Sequence, residues 1–146
     1  VMKTNWAQSG NKIFVKPHPV MPLSKIISKK KMPKNFEEIS GNFYKISRNS
    51  KILISAGISS SIIESYVCGC ALIIPKIDKN DFYNFRHLKI PKQSYKICEN
   101  ITDLDRAINH FMNENEAERK KRIKKAILLT PKLFEKTTSK NLNLFT

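Results

Sequence analysis

The chain has little of several features that mark common protein classes. Its 146 residues include only three cysteines and four glycines. No apolar run approaches the roughly 18 residues that a membrane-spanning helix needs, so the sequence excludes such a helix of normal length. Cys68, Cys70 and Cys98 are an odd and sparse set, which is typical of a reducing compartment rather than of a disulfide framework. The Cys68-Gly69-Cys70 spacing does not match a redox or zinc motif, and we expect these cysteines to be small buried residues.

The length suits one domain with its own hydrophobic core. We therefore expect a single domain over residues 1–146, with a polar tail from about residue 135. The sequence begins at Val1, and its first residues resemble the interior of a protein more than a secretory leader. We expect it to be a fragment or one domain of a longer chain.

The charge of the chain is strongly positive. Twenty-seven lysines and arginines stand against 12 acids, a formal net charge of +15. Such a field attracts nucleic acid, anionic membranes and anionic substrates. A coding bias towards Lys, Ile and Asn explains the composition equally well. Two basic clusters, over residues 29–34 and 119–125, are the segments where a binding role is most plausible.

Hydrophobic periodicity predicts an α/β fold. We predict strands over residues 12–16, 42–46, 51–55, 70–75 and 95–98, and loops over 32–38 and 77–91. We predict helices over 22–31 and 60–68, a third that Thr102 caps, and a fourth over 114–129 that Pro131 breaks. The third helix turns Leu104, Ala107, Ile108, Phe111 and Met112 inward, and the fourth Ala117, Ile123, Ala126, Ile127 and Leu129. Alternating strands and helices predict a three-layer Rossmann-like domain with a parallel sheet of about five strands.

The segment from Gly57 to Pro75 carries the clearest functional signal. It reads as a loop, a helix and a strand, and the helix begins with Ser59, Ser60 and Ser61. Free N–H groups and the positive end of the helix dipole favour an anion there, most often a phosphate. Serines also cap helices, but three in a row exceed what capping needs. Glu64 lies one turn further on, where it either accepts hydrogen bonds from a ribose diol or complements the helix dipole.

A second motif, Lys16-Pro17-His18-Pro19, follows the first predicted strand. The two prolines restrict the backbone around His18, whose imidazole can donate a hydrogen bond to a phosphate oxygen. The plainer interpretation is a histidine that closes a turn. Ligands of parallel α/β sheets bind beyond the carboxyl ends of the strands, so we expect His18 and the serine loop to form two sides of one nucleotide-phosphate cleft.

Together the Lys-Pro-His-Pro motif and the pattern Gly-x-Ser-Ser-Ser-x-x-Glu-x-x-x-x-Gly-Cys-Ala-Leu-Ile-Ile-Pro resemble the C-terminal, donor-binding domain of GT-B-fold glycosyltransferases. They look most like bacterial surface-carbohydrate enzymes of the sialyltransferase-like and Kdo-transferase-like kind. The similarity covers roughly residues 12–112. It implies that His18 contacts the donor phosphate and assists its departure. It also implies that Lys16, Pro19, Gly57 and the three serines hold the nucleotide phosphate, and that Glu64 meets the nucleotide sugar.

The resemblance implies a nucleotide-sugar-dependent glycosyltransferase of capsule or lipooligosaccharide synthesis, in the cytoplasm or at the inner face of the membrane. We expect no cofactor and no metal, since dipoles and hydrogen bonds can stabilise the leaving phosphate, and Asp78 and Asp81 lack the Asp-x-Asp spacing. The expected partners are a nucleotide-sugar donor, a glycan or glycolipid acceptor, an anionic membrane and a separate N-terminal domain. That domain normally supplies the acceptor site and the catalytic base, so we expect this chain alone to bind donor without transferring it.

Three alternatives remain open at the level of sequence. A sugar-nucleotide epimerase of the same fold also uses a histidine and a small-residue loop over the nucleotide. A domain that keeps the fold without the activity would carry the same motifs. A basic nucleic-acid-binding module would explain the charge, but the lysines are not interleaved with aromatics and the serine loop would have no role.

Overall fold

The computed structural model describes residues 1–17, 22–25, 32–55, 60–76 and 90–133. Its strands and helices are interspersed along the chain, as expected for an α/β protein. In chain order these elements are α1 (Asn5–Gln8), β1 (Ile13–Val15), β2 (Phe36–Glu38), α2 (Phe43–Arg48), β3 (Ile52–Ile54), α3 (Ser60–Val67), β4 (Ala71–Pro75), β5 (Tyr95–Cys98), α4 (Ile101–Met112) and α5 (Glu116–Leu133). Short 3₁₀ turns lie at Leu23–Lys25 and Lys92–Ser94.

All strand pairs in the described part of the chain are parallel. Strands β3, β4 and β5 form one sheet in that order, and β1 pairs with β2 in a second sheet. The predicted α/β class with parallel strands is therefore confirmed. The five described strands are divided between two sheets of three and two strands, where the sequence suggested one.

Strand β4 is the centre of the molecule because both of its faces are covered. Leu72 and Ile74 point towards α3 and α5 and pack with Ile62, Tyr66 and Ala126. Its alternate residues point to the other face, towards α4; that second cluster comprises Ala71, Ile73, Cys98, Leu104, Ala107, Ile108 and Phe111. Alternation along a strand with helices on both faces produces the three-layer arrangement. The inward face predicted for α4 is confirmed.

The turn from α3 into β4 is a helix C-cap that uses the glycine. Gly69 has φ of +91°, a conformation that residues with a Cβ rarely adopt. Its N–H donates to Tyr66 O, and the Cys70 N–H donates to Ser65 O at 3.0 Å. This pair of bonds is the Schellman motif, which satisfies carbonyls at the end of the helix. The prediction that the helix stops at Gly69 is confirmed.

The prediction of a strand over residues 42–46 is wrong, since Phe43–Arg48 is helix α2. Asn42 caps this helix, with its side-chain oxygen accepting from Lys45 N at 3.2 Å. The more buried positions 43, 46, 47 and 50 follow a helical period. The missing strand is β2, in the segment predicted as loop. Only Phe36 of β2 is buried, so the segment shows no alternating pattern.

Two helix boundaries also differ from expectation. Asn100, and not Thr102, caps α4, because its side chain accepts from Asp103 N at 2.9 Å. Helix α5 continues through Pro131 to Leu133 instead of breaking there. A proline leaves the carbonyl four residues earlier without its helical partner. Pro131 is exposed and Ile127 is 60% exposed, so water can satisfy that carbonyl.

The predicted apolar stripe of α5 is wrong in part. Over residues 116–131 of this helix, Arg122 and Ala126 are buried, whereas Ala117 and Ile127 are exposed. Of the helix predicted over residues 22–31, only the turn at Leu23–Lys25 falls within the described residues. No helix among the described residues has the length and apolarity of a membrane-spanning segment.

Candidate functional site

Two helices begin at the same edge of the three-stranded sheet. Because β3, β4 and β5 are parallel, they all end at one edge, after Ile54, Pro75 and Cys98. Helix α3 follows β3, and α4 follows β5. This carboxyl edge is where α/β proteins bind ligands. It is the edge at which the sequence placed the serine loop.

The N-termini of these two helices differ in charge. In α4 the first turn contains Asp103, whose carboxylate accepts from Glu99 N at 3.3 Å and from Arg106 at 2.9 Å. An acid at this position offsets the helix dipole. The first turn of α3 contains no acid and begins instead with Ser60 and Ser61. Its positive end is therefore the more favourable of the two for an external anion.

The predicted residues on α3 have the relative positions that the sequence indicated. Ser60 is exposed, while Ser61 and Glu64 are half-buried. Ser61 has a polar contact of its own within the protein. Glu64 lies four residues after Ser60, so the two side chains occupy one face of the helix. This face carries a hydroxyl and a carboxylate about one turn apart.

The remaining predicted site residues are divided between a second strand and the segments that are not described. Lys16 is exposed and directly follows β1, which belongs to the other sheet. His18, Pro19, Gly57 and Ser59 lie outside the described residues. The structure thus brings Ser60, Ser61 and Glu64 together, and the proximity of His18 to the serines stays a prediction.

Buried contacts fix the orientation of α3. Ser65, fully buried, faces Ser47 of α2 with their hydroxyl oxygens 3.2 Å apart. Tyr66 is also fully buried, and burial raises the pKa of its phenol, an effect that Ser94 and Arg122 oppose. Ser94 lies close enough to lower the pKa of Tyr66. The hydroxyls of Tyr66 and Ser94 nevertheless do not meet the geometry of an ordinary hydrogen bond. With Ser65 and Tyr66 in the core, the face that carries Ser60 and Glu64 turns outward.

Arg122 is a buried residue that the sequence placed in an exposed basic cluster. Its side chain is 3% exposed and forms a two-point ion pair with Glu114, with Nε–Oε1 and Nη2–Oε2 distances of 3.1 and 2.6 Å. Its Nη1 donates to the carbonyl oxygen of Gly69. Its burial could have been predicted from the sequence, because Arg122 lies four residues before Ala126 and residues four apart share one face of a helix. One charge of the predicted 119–125 cluster is therefore structural and cannot bind an external anion.

A shallow, open pocket of about 320 Å³ lies between β5 and α4. No pattern in the sequence indicated this pocket. Its polar lining includes Lys96, Cys98, Asp103, Arg106 and His110. Asp103 and Arg106 satisfy one another, and burial raises the pKa of the Cys98 thiol, with Asp103 adding to the shift. A raised pKa leaves the Cys98 thiol protonated and therefore weakly nucleophilic at neutral pH.

The described residues include no group of three or more His, Cys, Asp or Glu side chains that could hold a metal ion. Asp103 and Asp105 have the Asp-x-Asp spacing, a pair that the sequence prediction overlooked. Residues two apart on a helix do not face each other. Both oxygens of Asp103 are also engaged as above, and one oxygen of Asp105 accepts from Asn5 N at 3.1 Å. These two residues do not form a metal pair.

Comparison of the chain with known proteins found no matching family model, no matching curated protein and no matching solved structure.

Proposed function

We propose that this chain is the donor-binding part of a nucleotide-sugar-dependent glycosyltransferase of bacterial surface-carbohydrate synthesis. The observation that carries the proposal is the N-terminus of α3, which opens at the carboxyl edge of a parallel sheet with Ser60 and Ser61 and without an acid. The helix dipole and the serine hydroxyls would bind the phosphate of the donor. His18 would donate a hydrogen bond to the leaving phosphate and stabilise its developing charge.

The proposed site needs no metal for this role. Oriented N–H and O–H donors act on the charge that develops as the sugar–phosphate bond breaks. The acceptor hydroxyl and the base that takes its proton would come from a second domain, in the same or another polypeptide. We therefore expect the isolated chain to bind the donor nucleotide without transferring sugar.

Ligand-dependent thermal stabilisation tests the proposal. Nucleoside diphosphates and CMP should raise the melting temperature. A ligand at about 100 times its Kd adds roughly 2.7 kcal/mol to the free energy of unfolding. Ser60→Ala should weaken binding about tenfold or more, because hydrogen bonds to charged groups contribute about 1.5–3 kcal/mol. Thr102→Ala is the matched control, as Thr102 is an exposed hydroxyl in the first turn of α4. No stabilisation by any nucleotide would refute the proposal.

A ribose contact at Glu64 can be tested separately. The wild-type protein should bind a ribonucleotide more tightly than its 2′-deoxy analogue, by about tenfold. Glu64→Gln should lose most of this preference and keep its affinity for the deoxy analogue. Glu118→Gln, at an exposed acid of α5, is the control. Equal discrimination in both variants would exclude Glu64 from the ribose site.

The expected cleft between His18 and the serines is tested by a double-mutant cycle. If both contact one phosphate, His18→Ala and Ser60→Ala should show a coupling energy of at least about 0.5 kcal/mol in nucleotide binding. If the two substitutions change the binding free energy additively, His18 and Ser60 do not contact the same phosphate. Micromolar binding of short oligonucleotides that neither variant weakens would favour the nucleic-acid module instead.

A further inference from the structure

The outward side of α5 combines lysines with large apolar side chains. Ile127 and Leu128 are 60% and 64% exposed, the highest values among the large hydrophobic residues of the described chain. Lys120, Lys121 and Lys124 are exposed on the same helix. At about 100° per residue these five side chains fall within an arc of about 120°. We refer to these five residues as the outer face of α5.

Within the described residues, only one of the three lysines of the outer face lies within ion-pair distance of an acid. Lys120 lies 3.9 Å from Glu116, and both side chains are mostly exposed, so this contact is weak. Lys121 and Lys124 form no ion pair with any residue in the described ranges. Arg122, by contrast, points into the protein and pairs with Glu114. Arg119 and Lys125 also form no ion pair within the described ranges, but both are half-buried. The exposed cations Lys120, Lys121 and Lys124 therefore lie on one side of the helix.

The apolar residues adjoin these cations. Lys124 lies three and four residues before Ile127 and Leu128, so all three side chains are neighbours on the helix surface. Pro131, one turn further on, is also exposed and carries no charge. Binding to a membrane interface increases with the apolar area buried and with electrostatic attraction to anionic lipids, and this face offers both. The long lysine side chains can then reach lipid phosphates while their methylene groups remain among apolar atoms.

We propose that the outer face of α5 binds an anionic lipid surface. Ile127 and Leu128 enter the boundary between headgroups and acyl chains, and the three lysines contact the phosphate groups. The chain's net charge of +15 makes it complementary to such a surface. A nucleic acid would use the lysines but would give the two exposed aliphatic side chains no partner. The proposal is independent of the nucleotide site, which lies on α3.

Vesicle co-sedimentation of the full chain tests this proposal. Vesicles of phosphatidylcholine and phosphatidylglycerol in a two-to-one ratio should bind the protein, and pure phosphatidylcholine vesicles should not. Each lysine near an anionic surface contributes about fivefold to partitioning. Lys121→Gln/Lys124→Gln should therefore lower binding by more than about tenfold. Ile127→Ser/Leu128→Ser should lower it by at least about fivefold, through the lost apolar burial.

The matched control is Lys92→Gln/Lys96→Gln, which removes two exposed lysines from another part of the fold. It should reduce binding by less than about twofold, because charge effects decline within a Debye length. Equal losses in the control and in the α5 lysine variant would show that total charge is responsible and would refute the proposal. Retained binding in the Ile127/Leu128 variant would refute it too. So would a dimer of the wild-type chain, seen by light scattering, that this variant dissociates, since the face would then belong to a second copy.

Discussion

Gly69→Ala should destabilise the protein through two separable effects. The first is backbone strain, because φ of +91° costs a residue with a Cβ about 1–2 kcal/mol. The second is steric, since the new Cβ would lie 2.8 Å from Cγ1 of Ile123 on α5. Carbon atoms in contact are normally about 3.5–4.0 Å apart, and overpacking of this kind costs about 1–3 kcal/mol. We expect the free energy of unfolding to fall by about 2–5 kcal/mol in urea denaturation.

Two other glycines isolate the strain. Gly10 and Gly41 also have positive φ, +80° and +112°, but a Cβ there would meet nothing within 4 Å. Gly10→Ala and Gly41→Ala should therefore cost only the strain, about 1–2 kcal/mol each. Ile123→Ala removes the clashing atom, so Gly69→Ala should cost about 1–3 kcal/mol less in that background. Equal costs at all three glycines, or strict additivity with Ile123→Ala, would refute the steric explanation.

Three further predictions concern stability. Arg122→Met should lower the free energy of unfolding in urea by about 3–5 kcal/mol, because it leaves Glu114 buried without a partner. Arg122→Met/Glu114→Gln should recover at least half of this loss. A single variant as stable as the wild type would contradict the prediction. Burial raises the pKa of Cys70 from 9.0 to about 12, so the unfolded thiol ionises first and stability should fall by about 1.4 kcal/mol per pH unit above pH 9. Cys70→Ala should show a shallower decline between pH of about 8 and about 10, and parallel profiles would count against this. Asn100→Ala should lower stability by about 1 kcal/mol and Thr102→Ala by no more than about 0.5; the reverse order would mean the wrong cap has been identified.

The parts of the fold that could be predicted from sequence are those where local pattern and tertiary burial agree. Strand β4 is buried on both faces and reads as an unbroken apolar run, and α4 has a strong helical period. Gly69 ended α3 as its residue type suggests. In each case the residues of a single segment show the pattern and also determine the structure that the segment adopts.

The errors occur where a distant contact decides the outcome. Phe43, Tyr44 and Ile46 are residue types that favour strands. A cap at Asn42 and packing of Ser47 against Ser65 nevertheless make this segment helical. Strand β2 exists because β1 lies beside it, and its own residues are mostly exposed. Arg122 looks like surface charge until Glu114 and the Gly69 carbonyl are placed next to it. The Asn42 cap and Glu114 are close in sequence, but Ser65, strand β1 and the Gly69 carbonyl are partners that the local pattern does not reveal.

The candidate site shows the same division. The spacing of Ser60, Ser61 and Glu64 along one helix could be predicted, because helical geometry fixes it. Their position at the carboxyl edge followed from the parallel strands. The predicted approach of His18 to this edge is a matter of how distant segments are arranged, which no local pattern determines.

The contacts of Gly69 with helix α5 lie at the end of α3 opposite its serines. Arg122 and Ile123 of α5 contact Gly69, just beyond the C-terminus, whereas Ser60 lies at the N-terminus, eight residues or about 12 Å along the helix axis from the other end. Substitutions more than about 7–10 Å apart without shared partners usually act additively. Gly69→Ala should therefore lower the melting temperature while leaving the nucleotide-induced increase unchanged, and Ser60→Ala should do the reverse. If Gly69→Ala weakened nucleotide binding as much as Ser60→Ala does, α3 would have to shift as a unit, and the anchor at α5 would be part of the binding site.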